Sequence, residues 1–166
     1  PDMPVLYYQR ASILSDLERY KESIESAQKY LDILGDDPDM LNMMAASHLE
    51  LKQHDKARDC ALRVLSEAPL NEEALTYFGR TARPEDAAKF EELLRKSEDA
   101  ETCLISIASS LADEPSSAVH DVLVSVAEKV APDAEVTASL KTERRARELW
   151  VKVTAAGAGG DALLVS

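Results

Sequence analysis

Residues 39–69 read DMLNMMAASHLELKQHDKARDCALRVLSEAP, and this stretch decides the fold of the 166-residue chain. Its small residues, such as Ala45 and Ala57, stand between bulky apolar residues at spacings of three and four. That spacing is the period of an amphipathic helix. The pattern predicts helices over residues 39–52 and 54–67, and the short turn between them indicates an antiparallel hairpin.

The same pattern recurs with a 34-residue period through the first half of the chain. Ser23 and Ala57 stand one period apart, and two triplets share the same period: Ala11, Ala45 and Gly79, and Tyr7, Leu41 and Leu75. A repeat of this length is typical of stacked helical hairpins, in which neighbouring pairs bury one another's apolar faces. The sequence therefore predicts an all-α protein, an α-α superhelix of about three helical hairpins.

The hairpins on either side follow from the same periodicity. The first is expected over residues 5–17 and 20–34, and the third over residues 72–81 and 84–96, with its first helix or turn about one helical turn short. Asp37 and Pro38 supply a cap and a first-turn proline for the second hairpin. Asn71 supplies the cap for the third, with Glu72 in the positive first turn.

Beyond Ser97 the repeat period is lost, although helical periodicity continues. Two apolar helices are expected over residues 98–111 and 116–130, split at Asp113-Glu114-Pro115, as a degenerate repeat or a cap. A last helix over residues 137–154 carries five cations, which we expect to face the acidic body. Residues 155–160 read as a flexible stretch and 161–166 as a short strand. The predicted divisions are residues 1–97, 98–154 and 155–166, the last being a linker or the start of a further segment.

The stretch from Leu49 to Ala57, together with the later Pro69, resembles the tetratricopeptide repeat family. Two further sets of residues fill the same roles. In the first repeat they are Leu17, Tyr20, Ser23, Ala27 and Tyr30, and in the third they are Leu75, Phe78 and Gly79. Glu18 and Lys52 depart from the pattern, because the family often has glycine at this turn.

The resemblance implies a concave groove lined by the first helix of each pair, where such proteins bind a peptide or protein partner. Carried over by position, the candidate partner-binding residues are Tyr8, Ser12, Asn42, Ala46, Thr76 and Arg80. Family members that clamp a terminal carboxylate use lysines and asparagines here. Only Asn42 and Arg80 approach that pattern, so we expect no such clamp, with Arg80 as the candidate partner of a carboxylate.

Composition argues against several other classes of protein. A formal net charge of −12 disfavours nonspecific binding to nucleic acid or to an anionic membrane. No apolar run approaches the length that membrane insertion requires. Cys60 and Cys103 fit buried free thiols in a reducing compartment, which favours a cytoplasmic protein. The three histidines lack metal-ligand spacing, and no motif indicates a catalytic site or a cofactor.

The sequence therefore favours a non-catalytic scaffold that binds a peptide or protein. The alternative is a regulatory or oligomerising segment of a larger bacterial enzyme, such as a glycosyltransferase of surface polysaccharide synthesis. A third interpretation is a homo-oligomer that assembles through exposed apolar ends of the solenoid.

Overall fold

A computed structural model describes residues 3–111 and 117–160, with side chains described as far as Leu149. These residues form helices and no strand. The α-helices are α1 (Pro4–Asp16), α2 (Tyr20–Leu34), α3 (Pro38–Glu50), α4 (His54–Glu67), α5 (Glu72–Thr81), α6 (Ala87–Lys96), α7 (Ala100–Ser110), α8 (Ser117–Val130) and α9 (Glu135–Gly160), with a 3₁₀ turn at Pro84–Asp86 before α6. The predicted break at Asp113-Glu114-Pro115 and the strand at 161–166 lie outside the described residues.

The repeat period holds at the level of the helices and their turns. Both ends of α3 lie one period after those of α1, and the start of α4 lies one period after the start of α2. Glu18 and Lys52 occupy equivalent turn positions and have φ of 57° and 58°. This left-handed conformation favours glycine, because a Cβ atom crowds the following carbonyl there. Glu18 and Lys52 therefore adopt the backbone conformation that glycine would usually adopt at this turn.

The predicted caps begin the second and third hairpins. The Asp37 carboxylate accepts a hydrogen bond from the Met40 amide at 2.9 Å, and Pro38 occupies the first turn of α3. The Asn71 side chain accepts one from the Ala74 amide at 2.8 Å. α5 has 10 residues where α3 has 13, which confirms the shortened third repeat.

The three hairpins stack with their first helices on one side. α1 contacts α3 and α3 contacts α5, and α2 and α4 pack on α3 and α5 in turn. Across the described residues, the backbones of the second helices α2 and α4 do not approach each other as those of the first helices do. Because the first helices lie closer to one another than the second helices do, the stack curves, with α1, α3 and α5 on its inner side. This is the arrangement of a tetratricopeptide-like helical solenoid.

The third hairpin joins the rest of the chain through close packing at Gly79. α7 packs on α5, and α8 packs mainly on α6. A Cβ atom at Gly79 would lie 2.6 Å from Ile107 Cδ1 and 3.0 Å from Phe90 Cζ. Ala11 and Ala45 hold the equivalent positions in the first two hairpins. The third hairpin has glycine at this position, where α7 also packs against it.

The last helix ends the stack and is longer than predicted. α9 contacts α7 and α8, and Lys141 Nζ lies 3.0 Å from Glu128 Oε1. The helix continues to Gly160, so residues 155–160 are helical where the sequence indicated a flexible stretch. The three alanines of this stretch favour a helix, but each of the three glycines costs about 1 kcal/mol relative to alanine, so propensity alone does not account for the extension. None of the described helices has the length and apolar character needed to span a membrane.

Candidate functional site

The inner side of the stack presents a row of partly exposed side chains. Ser12, Ala46 and Arg80 hold the same repeat position on α1, α3 and α5, and all three are half-buried. Thr76, one turn before Arg80 on α5, is also half-buried, and its hydroxyl donates to the Glu72 carbonyl at 2.9 Å. These four of the six predicted residues retain surface that a partner could contact.

Tyr8 is held by packing within the first hairpin. Its ring meets Tyr30 of α2 edge-on, with ring centroids 5.7 Å apart at 64°. The Tyr30 hydroxyl lies 3.4 Å from an Asp37 carboxylate oxygen at the start of α3. Tyr8 is half-buried, so its ring contributes the apolar wall at the α1 end of the row.

Asn42 does not lie in an open groove, contrary to the expectation from the sequence. Its side chain is 2% exposed. The Asn42 amide Nδ2 lies 3.2 Å from both Asn71 Oδ1 and Glu73 Oε2. Position 42 faces the incoming start of α5, so its side chain joins the second hairpin to the third. Glu73 also accepts a hydrogen bond from the Tyr77 hydroxyl at 2.8 Å, a contact that the repeat pattern alone does not identify.

A cavity of about 500 Å³ opens where the turns of the second and third hairpins meet the ends of α7 and α8. Of the six predicted residues, only Arg80 lines it. The rest of the lining is Leu49, His54, Asp55, Thr81, Ala82, Arg83, Pro84, Leu111, Ala118 and Val119. The walls are therefore mainly apolar, with charged groups at a few positions.

Arg83 of the cavity lining and Arg58, which lies outside the lining, are each paired with an aspartate. Arg83 forms an ion pair with Asp55, and this hydrogen bond holds the pKa of the Asp55 carboxyl below its ordinary value. Arg58 Nη1 lies 2.7 Å from Asp86 Oδ2, and both side chains are largely buried. Among the described residues, Arg80 has no hydrogen-bond or ion-pair partner. It is thus the cation of the cavity that remains available to an anionic group.

His48, His120 and both cysteines are buried, whereas His54 is exposed and lines the cavity. His48 is buried, its Nδ1 lies 2.8 Å from Gln53 Oε1, and burial lowers its pKa. Cys60 and Cys103 are buried free thiols whose pKa values burial raises. No three described side chains of the kinds that bind metals converge on a common point.

The contacts and the repeated turns define a protein of stacked helical hairpins, with a partly exposed inner row and a cavity at the turns. A family model described as tetratricopeptide repeat matches residues 5–33, which cover α1 and nearly all of α2. Residues 5–33 thus match a tetratricopeptide repeat, which confirms the resemblance over the first hairpin. No curated protein matches the chain in sequence. Tetratricopeptide repeats are typically non-catalytic modules for protein–protein interaction.

Proposed function

We propose that this chain is a protein-interaction scaffold that binds an extended or helical peptide segment along Tyr8, Ser12, Ala46 and Thr76. The segment ends at the turn cavity, where Arg80 pairs with a carboxylate of the ligand. Asn42 has a positioning role, because its amide fixes the angle between the hairpins that carry this row.

The observation that carries the proposal is the unpaired Arg80 in a mainly apolar cavity. A guanidinium can bind a carboxylate through two parallel hydrogen bonds, and the interaction strengthens where water is excluded. Leu49, Leu111 and Val119 supply apolar walls around it. This combination suits a ligand with an apolar side chain next to a carboxylate, either a chain terminus or an acidic side chain.

The proposal is tested with a peptide library. Binders are selected from octapeptides with random sequence and free C termini, then resynthesised with a carboxylate or an amide at the terminus. We expect Arg80→Glu to weaken the best binder by at least about tenfold, because an attraction becomes a repulsion. Fluorescence anisotropy measures this, and circular dichroism checks that helicity is kept.

Lys21→Glu is the matched control, since it makes the same charge change on α2, away from the inner side. It should leave affinity within about twofold. A loss of affinity on amidation identifies a terminal carboxylate, and its retention identifies an acidic side chain. Unchanged affinity in Arg80→Glu would overturn the proposal.

A further inference from the structure

The outer face of α1 is an apolar stripe that no other element of the described residues covers. Leu6, Arg10 and Ile13 share a face of α1 by helical spacing, and Met3 and Leu17 flank it at the two caps of the helix. The four apolar side chains are 53–60% exposed. Including Val5, these first residues hold five of the ten large apolar side chains that are exposed in the described part of the chain.

The repeat shows what normally covers this face. Position 6 corresponds to Met40 and Ala74, both 0% exposed, whereas Leu6 is 55% exposed. Position 13 corresponds to Ser47 and Thr81, which are 1% and 6% exposed, whereas Ile13 is 58% exposed. Position 10 corresponds to Met44 and Phe78, also buried. In the later hairpins this face lies under the preceding antiparallel helix, α2 on α3 and α4 on α5.

As far as Leu149, the opposite end of the stack shows no apolar stripe that matches the one on α1. Up to Leu149, the exposed positions of α9 are mostly polar or alanine. A polar outer face is what terminal helices of repeat proteins use for solubility. Head-to-tail stacking of copies would set the α1 stripe against this polar face, so it is disfavoured.

We propose that the α1 stripe packs against the α1 stripe of a second copy of this chain, antiparallel across a two-fold axis. A two-fold axis perpendicular to α1 gives the same antiparallel pairing that α2 and α3 have within the chain. The exposed stripe is about 500 Å², so two copies would bury about 1,000 Å², the lower limit for a specific interface. An interface of this size belongs with weak, transient contacts, so we expect a reversible dimer.

Charge complementarity supports the antiparallel arrangement. Long side chains on a helix lean toward its N terminus, so Arg10 points toward the C-terminal end of the second α1. Asp16 lies at that end and is exposed. The two-fold axis makes this pair occur twice. Within one chain, Arg10 and Asp16 are six residues apart, a spacing that does not bring side chains together on a helix.

Sedimentation equilibrium between about 1 and 300 μM tests for the dimer over the range expected of weak, transient contacts. Leu6→Lys/Ile13→Lys should raise the dissociation constant by more than about thirtyfold, because four charges would enter an apolar contact. Leu149→Lys is the matched control, since Leu149 is 62% exposed on α9. It should leave the constant unchanged, and circular dichroism verifies helicity in every variant.

A charge exchange tests the geometry. Arg10→Asp and Asp16→Arg should each weaken the dimer by about five- to tenfold, and the double variant should restore it to within about threefold. Failure to restore it would overturn the antiparallel pairing. A wild-type chain that stays monomeric throughout would overturn the dimer and leave the stripe to a helix of another protein. Equal dimerisation in Leu6→Lys/Ile13→Lys would also overturn it.

Discussion

Gly79→Ala tests the close packing that connects the third hairpin to α7. Alanine is favoured over glycine within a helix by about 1 kcal/mol, so a helical glycine with free space around it would gain stability from this change. At Gly79 the new Cβ atom would lie 2.6 Å from Ile107 Cδ1 and 3.0 Å from Phe90 Cζ. Unstrained carbon atoms lie about 3.5–4.0 Å apart.

The clash outweighs the gain in helix propensity. Both neighbours are 0% exposed, so neither side chain can turn into solvent, and overpacking of this kind costs about 1–3 kcal/mol. Subtracting the propensity gain, we expect Gly79→Ala to lower the free energy of unfolding by about 1 kcal/mol. Urea unfolding followed by circular dichroism at 222 nm measures this difference.

Ile107→Val identifies the clash as the cause, because valine lacks the Cδ1 atom. The variant alone should cost about 0.5–1.5 kcal/mol. Combined with Gly79→Ala it should cost less than the sum of the two, with a favourable coupling of about 1 kcal/mol. Ala45→Gly, at the equivalent position of the second hairpin, should lose about 1 kcal/mol or more. A stabilised Gly79→Ala, or strict additivity with Ile107→Val, would refute the reasoning.

Three further predictions concern the turns, the caps and pH. Glu18→Gly should raise the free energy of unfolding by about 0.5–1 kcal/mol, because φ is 57° there; a lower value in urea unfolding would contradict it. Asn71→Ala should lower it by about 1–2 kcal/mol, since the amide of Ala74 loses its cap, whereas Asn71→Asp should keep most of that stability. Burial lowers the pKa values of His48 and His120, so the protonated forms are disfavoured in the folded chain. Above the ordinary histidine pKa of about 6.5, both histidines are neutral in the folded and unfolded chain, and stability is at its full value. As pH falls below this value toward the folded pKa values, the unfolded chain binds more protons and stability is lost. The urea midpoint should therefore fall between about pH 7 and 5.5, and His48→Gln/His120→Gln should flatten that slope; an unchanged slope would refute it.

The repeat period predicted most of the first two hairpins because it encodes local spacing. Helix limits near residues 5, 20, 34, 54 and 67 agree with the structure to within one residue, and Asp37 and Asn71 cap as predicted. These features depend on residues that are close together in the sequence, so they can be predicted without knowledge of the fold.

The site was only partly predictable because it depends on which helices meet. The repeat position of Asn42 predicts that it lines the groove, but α5 begins beside it and buries it. The cavity around Arg80 needs Leu111 and Val119, which follow the last recognisable repeat. Nothing in their spacing indicates that α7 and α8 return to the turns of the second and third hairpins. The glycines at 157, 159 and 160 predict a break after residue 154, whereas α9 continues to Gly160.

The connections between helices also make the stack unevenly resistant to local opening. Among the described residues, α1 and α2 contact only each other and α3, whereas α5 contacts five other helices: α3, α4, α6, α7 and α8. The first hairpin can therefore open by separating from α3 alone, while release of α5 requires most of the protein to unfold. Amide hydrogens of α1 and α2 should exchange with solvent through this partial opening, well before those of α5. A second copy bound to the α1 stripe would slow that exchange. Dimerisation would therefore lengthen the time for which the N-terminal hairpin remains packed on α3.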